Sequence, residues 1–270
     1  MSPDFSIVIP TYNRALPLKE ALESVLAQPL VSLQVIVVDD SPEQTARPVV
    51  AGIDDPRVEY LPNAVPSGGF PSRVRNFGAT RATGRFVHFL DDDDHVPAGL
   101  YADVVRQFEI HKNVGVLFGR VEPFGADPGI LAGEKAFFSD AARASQALER
   151  FGRRWPVATR MLFHSSVLVC GAAVIRRSCI DGVGRFDPDI RYGEDAGFYA
   201  RAIRKYGGHF VDRTFLHYRI WDHSIAHAPN LSDKAIADDF VKMQLRYRRE
   251  AGPFDYAVSK VAAKTVLRWL

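Results

Sequence analysis

The chain is poor in cysteine, unbiased in charge and without a hydrophobic run long enough to cross a bilayer, and each lack removes a class of function. Two cysteines in 270 residues, Cys170 and Cys179, make neither a disulfide framework nor a metal knuckle, so a reduced compartment is expected. Lysine plus arginine number 34 against 32 for aspartate plus glutamate, and the net charge of +2 gives no global attraction to nucleic acid or anionic lipid. Any electrostatic function must be local. No segment approaches the roughly 18 apolar residues of a membrane span, and Met1 to Pro10 has neither the basic start nor the small-residue cleavage site of an export signal. A cytoplasmic protein, soluble or resting on a surface, is expected. There is no internal repeat and no low-complexity tract.

What is present is a composition, 47% hydrophobic and 24% charged, suited to one large α/β domain or a domain with a modest appendage. Short β-branched runs alternate with helical patterns in the first half, as in a mostly parallel sheet with helices on both faces. Ser6–Ile9, Val35–Val38, Val58–Leu61 and Phe86–Leu90 read as strands. Helices are expected over Pro17–Gln28, Pro71–Ala82 and Pro97–His111, with a further strand over Val114–Val121. From Glu122 to Phe163 the pattern weakens, only a helix near Asp140–Phe151 is expected, and acceptor specificity would lie here. A strand over Val167–Ile175, a loop Asp181–Gly193, a helix Glu194–Tyr206 and a strand His209–Ile220 follow. Two helices, Ser232–Arg249 and Phe254–Leu270, close the chain around Gly252-Pro253.

The richest segment is Phe89-Leu90-Asp91-Asp92-Asp93-Asp94-His95, in which four carboxylates directly follow an apolar strand. Strand ends of this kind face the crevice where open α/β sheets bind ligands. Like charges so close raise one another's pKa unless a cation compensates them, and an all-oxygen set suits Mg²⁺ or Mn²⁺. The alternative is a solvated acidic turn. Asp39-Asp40 ends the Val35–Val38 strand in the same way, and the two strands are expected to be neighbours forming one acidic crevice.

These motifs in their order resemble the family 2 glycosyltransferases, an inverting class of the GT-A fold. Ile7-Val8-Ile9-Pro10-Thr11-Tyr12-Asn13-Arg14 is similar to that family's first strand and nucleotide-binding turn, and Val37-Val38-Asp39-Asp40-Ser41 to its second strand, with Ser41 where Gly is common. Arg75-Asn76-Phe77-Gly78, Ala82-Thr83-Gly84 and Leu90-Asp91-Asp92-Asp93-Asp94 follow its arginine-asparagine helix and aspartate metal motif. Gly184-Arg185-Phe186-Asp187 and then Glu194-Asp195 are similar to the elements that end its catalytic core. The resemblance implies a GT-A domain over 1–222, with a nucleotide-sugar half 1–121 and an acceptor and catalytic half 122–222, then a helical extension 223–270. It implies a metal held by Asp93, with Asp91 a ligand or water-mediated neighbour and Asp92 facing the ribose. Pro10, Thr11, Tyr12 and Arg14 would hold the nucleotide, Tyr12 against its ring, with Asp40 accepting from a ring N–H and Arg75 near base or phosphates.

Inversion needs the acceptor hydroxyl to attack opposite the leaving group with a carboxylate in reach of its proton, and Asp195 is the candidate base. Glu194 and Asp187 would contact the acceptor or donor sugar, and His223 would complete the metal shell or touch the diphosphate. Structural readings stand beside these: Tyr12 as a core aromatic, Arg75 as a surface salt bridge, Glu194-Asp195 as charges favouring a helix N-terminus. The expected function is non-processive transfer from a UDP, GDP or dTDP sugar to a glycan or lipid-linked acceptor, in bacterial polysaccharide, lipopolysaccharide or glycoconjugate assembly. Phe151-Gly152-Arg153-Arg154-Trp155 lacks the Gln of the processive Gln-x-x-Arg-Trp motif. Competing readings are a non-catalytic nucleotide-sugar-binding module on the same fold, an aspartate-dependent phosphohydrolase and a nucleotidyltransferase. The last helix, with Lys260, Lys264 and Arg268 on one stripe and Val258, Val261, Ala262, Thr265 and Trp269 on another, suggests peripheral contact with the inner face of the cell membrane.

Overall fold

The structure, a computed structural model, describes residues 2–125, 127–221, 233–265 and 267. Seven strands form one sheet: β1 (Phe5–Thr11), β2 (Leu33–Asp39), β3 (Val58–Pro62), β4 (Phe86–Phe89), β5 (Val116–Phe124), β6 (Ala173–Arg176) and β7 (Gly208–Arg219). Their order across the sheet is β3-β2-β1-β4-β6-β5-β7. Successive side chains leave a strand on opposite faces, so an uninterrupted apolar strand must be covered on both. Ile7, Ile9, Val35 and Val37 enter one core, while Val8, Ile36, Val38 and Phe89 enter the other. Helices α1 (Ala15–Leu26) and α4 (Leu100–Ile110) cover the first face; α3 (Pro71–Ala79), α6 (Trp155–Phe163) and α8 (Glu194–Tyr206) cover the second. The doubly covered α/β sheet expected from the sequence is the one observed.

The chain runs outward from β1 through β2 to β3, then returns to β4 on the other side of β1. This reversal opens a crevice beyond the carboxyl ends of β1 and β4, the place where such sheets bind ligands. It also corrects one expectation: the strands ending in Asp39-Asp40 and preceding Asp91–Asp94 are not neighbours, because β1 pairs with both and lies between them. The sheet is mixed, with β6 antiparallel to β4 and β5 while β5 and β7 run parallel.

The weakly patterned stretch after β5 is more helical than expected. One helix, α5 (Pro128–Glu149), spans 22 residues, starting from an Asp127 cap that accepts from the Gly129 N–H. It buries Phe138, Ala141, Ala142, Ala144, Ser145 and Leu148, mostly small side chains that give little hydrophobic contrast to read. The run expected to be a strand over Val167–Ile175 is a 3₁₀ turn, Cys170–Ala172, before the short β6. Two brief helices, α2 (Arg47–Ile53) and α7 (Arg177–Val183), were not expected, and α7 runs into the start of the expected loop Asp181–Gly193. The final pair, α9 (Asp233–Ala251) and α10 (Pro253–Lys264), docks on α6, with the Tyr247 and Ser259 hydroxyls 2.7 Å apart and the Trp155 indole N–H donating to Ser259 at 3.0 Å.

Candidate active site

The end of β1 and the acids after β4 hold one another. Thr11 Oγ1 donates to Asp92 Oδ2 at 2.6 Å, and Arg14 Nη1 lies 3.2 Å from Asp92 Oδ1 and 2.5 Å from Asp93 Oδ2. The Trp221 indole N–H donates to the same Asp93 oxygen at 3.0 Å. The Arg219 backbone N–H donates to Asp94 Oδ1 at 2.9 Å, its Nε to the Asp93 carbonyl at 3.0 Å, and its guanidinium also pairs with Glu20. Burial, then the neighbouring Asp93 charge, pushes the Asp92 carboxyl up to about 7. Asp94 is raised further by burial and by Asp93 and Asp91, and its Oδ2 is buried without a hydrogen-bond partner among the described residues.

That donor set is short of positive charge, and its oxygens suit a hard divalent cation. Among the described residues, no group of three or more His, Cys, Asp or Glu side chains is arranged to hold a metal unaided. Mg²⁺ commonly needs only one or two carboxylates, the rest of its shell coming from substrate phosphates and water, so the residues present fit such an ion. His223, the expected further ligand, lies outside the described residues.

On the other side of β1, Asp40 is aimed by its neighbours: its Oδ1 accepts from the Asn63 amide at 2.6 Å and the Ser67 N–H at 2.9 Å, and its Oδ2 from the Ser67 hydroxyl at 2.6 Å. Asp39 is structural, accepting from the Ser41 and Ala46 N–H groups and the Tyr60 hydroxyl. Ser41 in turn accepts from the Asn13 N–H at 2.9 Å, joining the turns after β1 and β2. Tyr12, 54% exposed, is no core aromatic; it directly follows Thr11, the last residue of β1.

Arg75 departs from expectation. Neither on the surface nor open to a ligand, it is buried on α3, donating through Nη2 to Asp91 Oδ1 at 2.6 Å and through Nη1 to Glu194. Burial opposes its charge, and Asp91 and Glu194 more than restore it. Glu194 and Asp195 open α8 behind Gly193, whose φ of 70° is open to glycine at little cost. Burial raises the Asp195 carboxyl, opposed by Arg75 and by N–H groups of Ala196 (2.7 Å) and Cys170. Asp187 pairs through Oδ2 with Arg246 of α9 at 3.1 Å. The sequence reading passed over Trp221, Arg219, Asn63 and Ser67. Trp221 directly after the β7 run was the one signal available; the other three lie on a strand or in loops whose partners are distant in sequence.

A seven-stranded sheet of this order, with an acid cluster after β4 and a Glu-Asp pair opening α8, is that of a GT-A-type glycosyltransferase domain. The model of glycosyl transferase family 2 matches residues 6–182, and the chain belongs to that family. It is 30% identical over 228 residues to the minor teichoic acid biosynthesis protein GgaB of Bacillus subtilis, covering 80% of this chain but only 23% of GgaB. Residues 1–349 of S. aureus TarS in complex with UDP-GlcNAc superpose with a TM-score of 0.68 at 19% identity, over 91% of this chain and 66% of that one. The mannosyltransferase PcManGT of Pyrobaculum calidifontis, in complex with GDP-Man and Mn²⁺, gives 0.65 at 17% identity, over 100% of this chain and 72% of that one. Likeness at these identities establishes the fold.

Proposed function

We propose that this chain is an inverting, metal-dependent, non-processive glycosyltransferase that moves a sugar from a UDP, GDP or dTDP sugar to a hydroxyl of a glycan or lipid-linked acceptor. The observation that carries the reading is the approach of Thr11, Arg14, Asp92 and Asp93 at the β1/β4 switch point, tied through Asp91 and Arg75 to the Glu194-Asp195 pair. Its place would be bacterial polysaccharide, lipopolysaccharide or glycoconjugate assembly, in keeping with the likeness to a teichoic acid biosynthesis protein.

The base would lie along the exposed Tyr12 ring with a ring N–H on Asp40, whose carboxylate is held ready by Asn63 and Ser67. Asp93, with Asp91 as a direct or water-mediated neighbour, would hold Mg²⁺ or Mn²⁺, which when bound would supply charge stabilisation to the leaving diphosphate. Arg14 adds a guanidinium at the same place, and Asp92 faces the ribose. Asp195 takes the proton as the acceptor oxygen bonds to the anomeric carbon, while the bond from that carbon to the diphosphate oxygen breaks and its electron pair leaves with the nucleotide. Burial raises this carboxyl's proton affinity and the α8 N-terminus restrains the rise, a balance that suits a general base. Glu194 acts through Arg75, and Asp187 braces the preceding loop against α9.

Non-processive transfer is supported at Arg154 and Trp155, which tie α6 to the Lys205 carbonyl and to Ser259 instead of lining the crevice. No helix among the described residues is long and apolar enough to cross a membrane. Peripheral contact with the inner face of the membrane is supported by α10, where Phe254, Val258 and Val261 are exposed beside Lys260 and Lys264, while Ser259 and Ala263 pack inward. Arg268 and Trp269 lie outside the described residues.

The test is release of nucleoside diphosphate from a panel of donor sugars, with and without Mn²⁺, together with melting temperature. Asp93→Ala is expected to abolish release and weaken nucleoside-diphosphate binding with the fold retained. Full turnover in excess chelator rejects the metal assignment.

A further inference from the structure

Arg75 belongs neither to the nucleotide crevice nor to an ordinary core. Its side chain is 5% exposed, and its two terminal nitrogens diverge to carboxylates distant in sequence: Asp91, which begins the acid motif, and Glu194, the neighbour of Asp195. Its Nε is buried without a hydrogen-bond partner among the described residues, so the fork is spent wholly on spanning these two groups. The next residue makes a second grip on the same loop. Asn76 donates its amide N–H to the Phe186 carbonyl and accepts from the Phe186 N–H, each at 2.9 Å. Phe186 is itself held, stacked on Phe198 at 4.2 Å and edge-on to Phe89 of β4 at 4.9 Å. Gly78 lets α3 come close enough for this, since a Cβ there would sit 2.5 Å from Val8 Cγ1 and 2.8 Å from Val38 Cγ2. One turn of α3 thus grips the end of β4 and the approach to α8 together.

We infer that Arg75 is a positioning residue that fixes the distance between the donor-binding acids and the base. Asp91 is its handle on the first and Glu194 its handle on the second, and it does not contact the nucleotide. The inference rests on the proposed roles of Asp93 and Asp195. The chemistry requires arginine: a planar fork engages two carboxylates in set directions, whereas an ammonium is a single point charge. Attack on an anomeric carbon tolerates little error, and a displacement of about 1 Å can cost on the order of 10²-fold in rate.

The experiment compares Arg75→Lys, Glu194→Gln, their double variant and Asp195→Asn in the full chain. It reads melting temperature, the dissociation constant for nucleoside diphosphate with Mn²⁺, and kcat for sugar transfer to the acceptor. Glu194→Gln keeps the volume at the bridge and guards against an Arg75 variant that fails to fold. The expected result is a kcat loss of about 10²-fold in each bridge variant. Nucleotide affinity stays within about threefold, and the double variant loses no more than either single, as residues acting as a unit do. Three results overturn the inference: nucleotide affinity lost in Arg75→Lys but kept in Glu194→Gln, a lowered melting temperature with unchanged kcat, or losses that multiply in the double variant. If Asp195→Asn alone retains turnover, the base assignment fails, whatever the bridge variants do.

Discussion

At Asp195 three influences compete for one proton: burial favours holding it, while the α8 N-terminus and the nearby Arg75 guanidinium favour releasing it. A base acting on the acceptor hydroxyl contributes in the transition state, so Asp195→Asn should lower turnover by about 10²- to 10⁴-fold with donor binding nearly unchanged. Asn retains an oxygen to accept from the Ala196 N–H, so the melting temperature should hardly move. A variant that turns over within a few-fold of the parent, saturated with donor, metal and acceptor, removes Asp195 from the chemistry and turns attention to Glu194 or Asp187. Single residues were legible here by type and order, and their partners were not. The sequence marked Arg75 and Asp40 as important, yet it held no sign that the first is buried between two acids or that the second is held by Asn63 and Ser67.

Among the elements, β4 carries a titratable group in the wall of the sheet. His88 is fully buried, its ring nitrogens meeting the Tyr101 hydroxyl at 2.9 Å and the Gly171 carbonyl at 2.7 Å. Burial lowers it from 6.5 to about 4. The unfolded chain therefore binds a proton between those values that the folded one refuses. This contribution to stability is fully present above about pH 6.5 and is lost as pH falls through about 4, roughly 3 kcal/mol over the window. Asp92 and Glu194, each raised to about 7 chiefly by burial, act in the opposite sense, their stabilisation being lost as pH rises toward 7, so the parent protein's curve mixes these contributions. The difference between parent and His88→Gln isolates the histidine. Urea unfolding at neutral pH and near pH 4.5 should show the parent losing stability relative to the variant on acidification. A constant gap would mean that His88 is not held neutral in the folded chain. The elements also mark where periodicity is a good guide. α8 was read with its observed ends because its first turn is acidic, its last basic and one face apolar. α5 was read at half its length because alanine hardly distinguishes a buried face from an exposed one.

For the whole molecule, one sheet drawn from both halves of the chain brings the acids after β4 and the Glu194-Asp195 pair together through Arg75, and α9 and α10 close the face that α6 and α8 cover. The exposed side of α10 is then left pointing outward. Vesicles rich in anionic lipid should retain the protein at low salt, with retention falling as salt screens Lys260 and Lys264. Phe254→Ser with Val261→Ser should release it without loss of donor binding, since both side chains are largely exposed, 78% and 62%. Equal retention of parent and variant would end the membrane assignment.

The sequence by itself determined the class of sheet, most of its strands and the acids that stand at their ends. Uninterrupted β-branched runs and acids at strand ends are local patterns, written in adjacent positions. It could not determine that β1 separates the two acidic strand ends, that Trp221 and Arg14 meet on Asp93, or that Arg75 joins Asp91 to Glu194. Those facts depend on sheet order and helix docking, which are settled by burial of the two cores as a whole. A buried charge takes whichever partner the packing brings within reach, because leaving it unpaired costs more than any local preference can return.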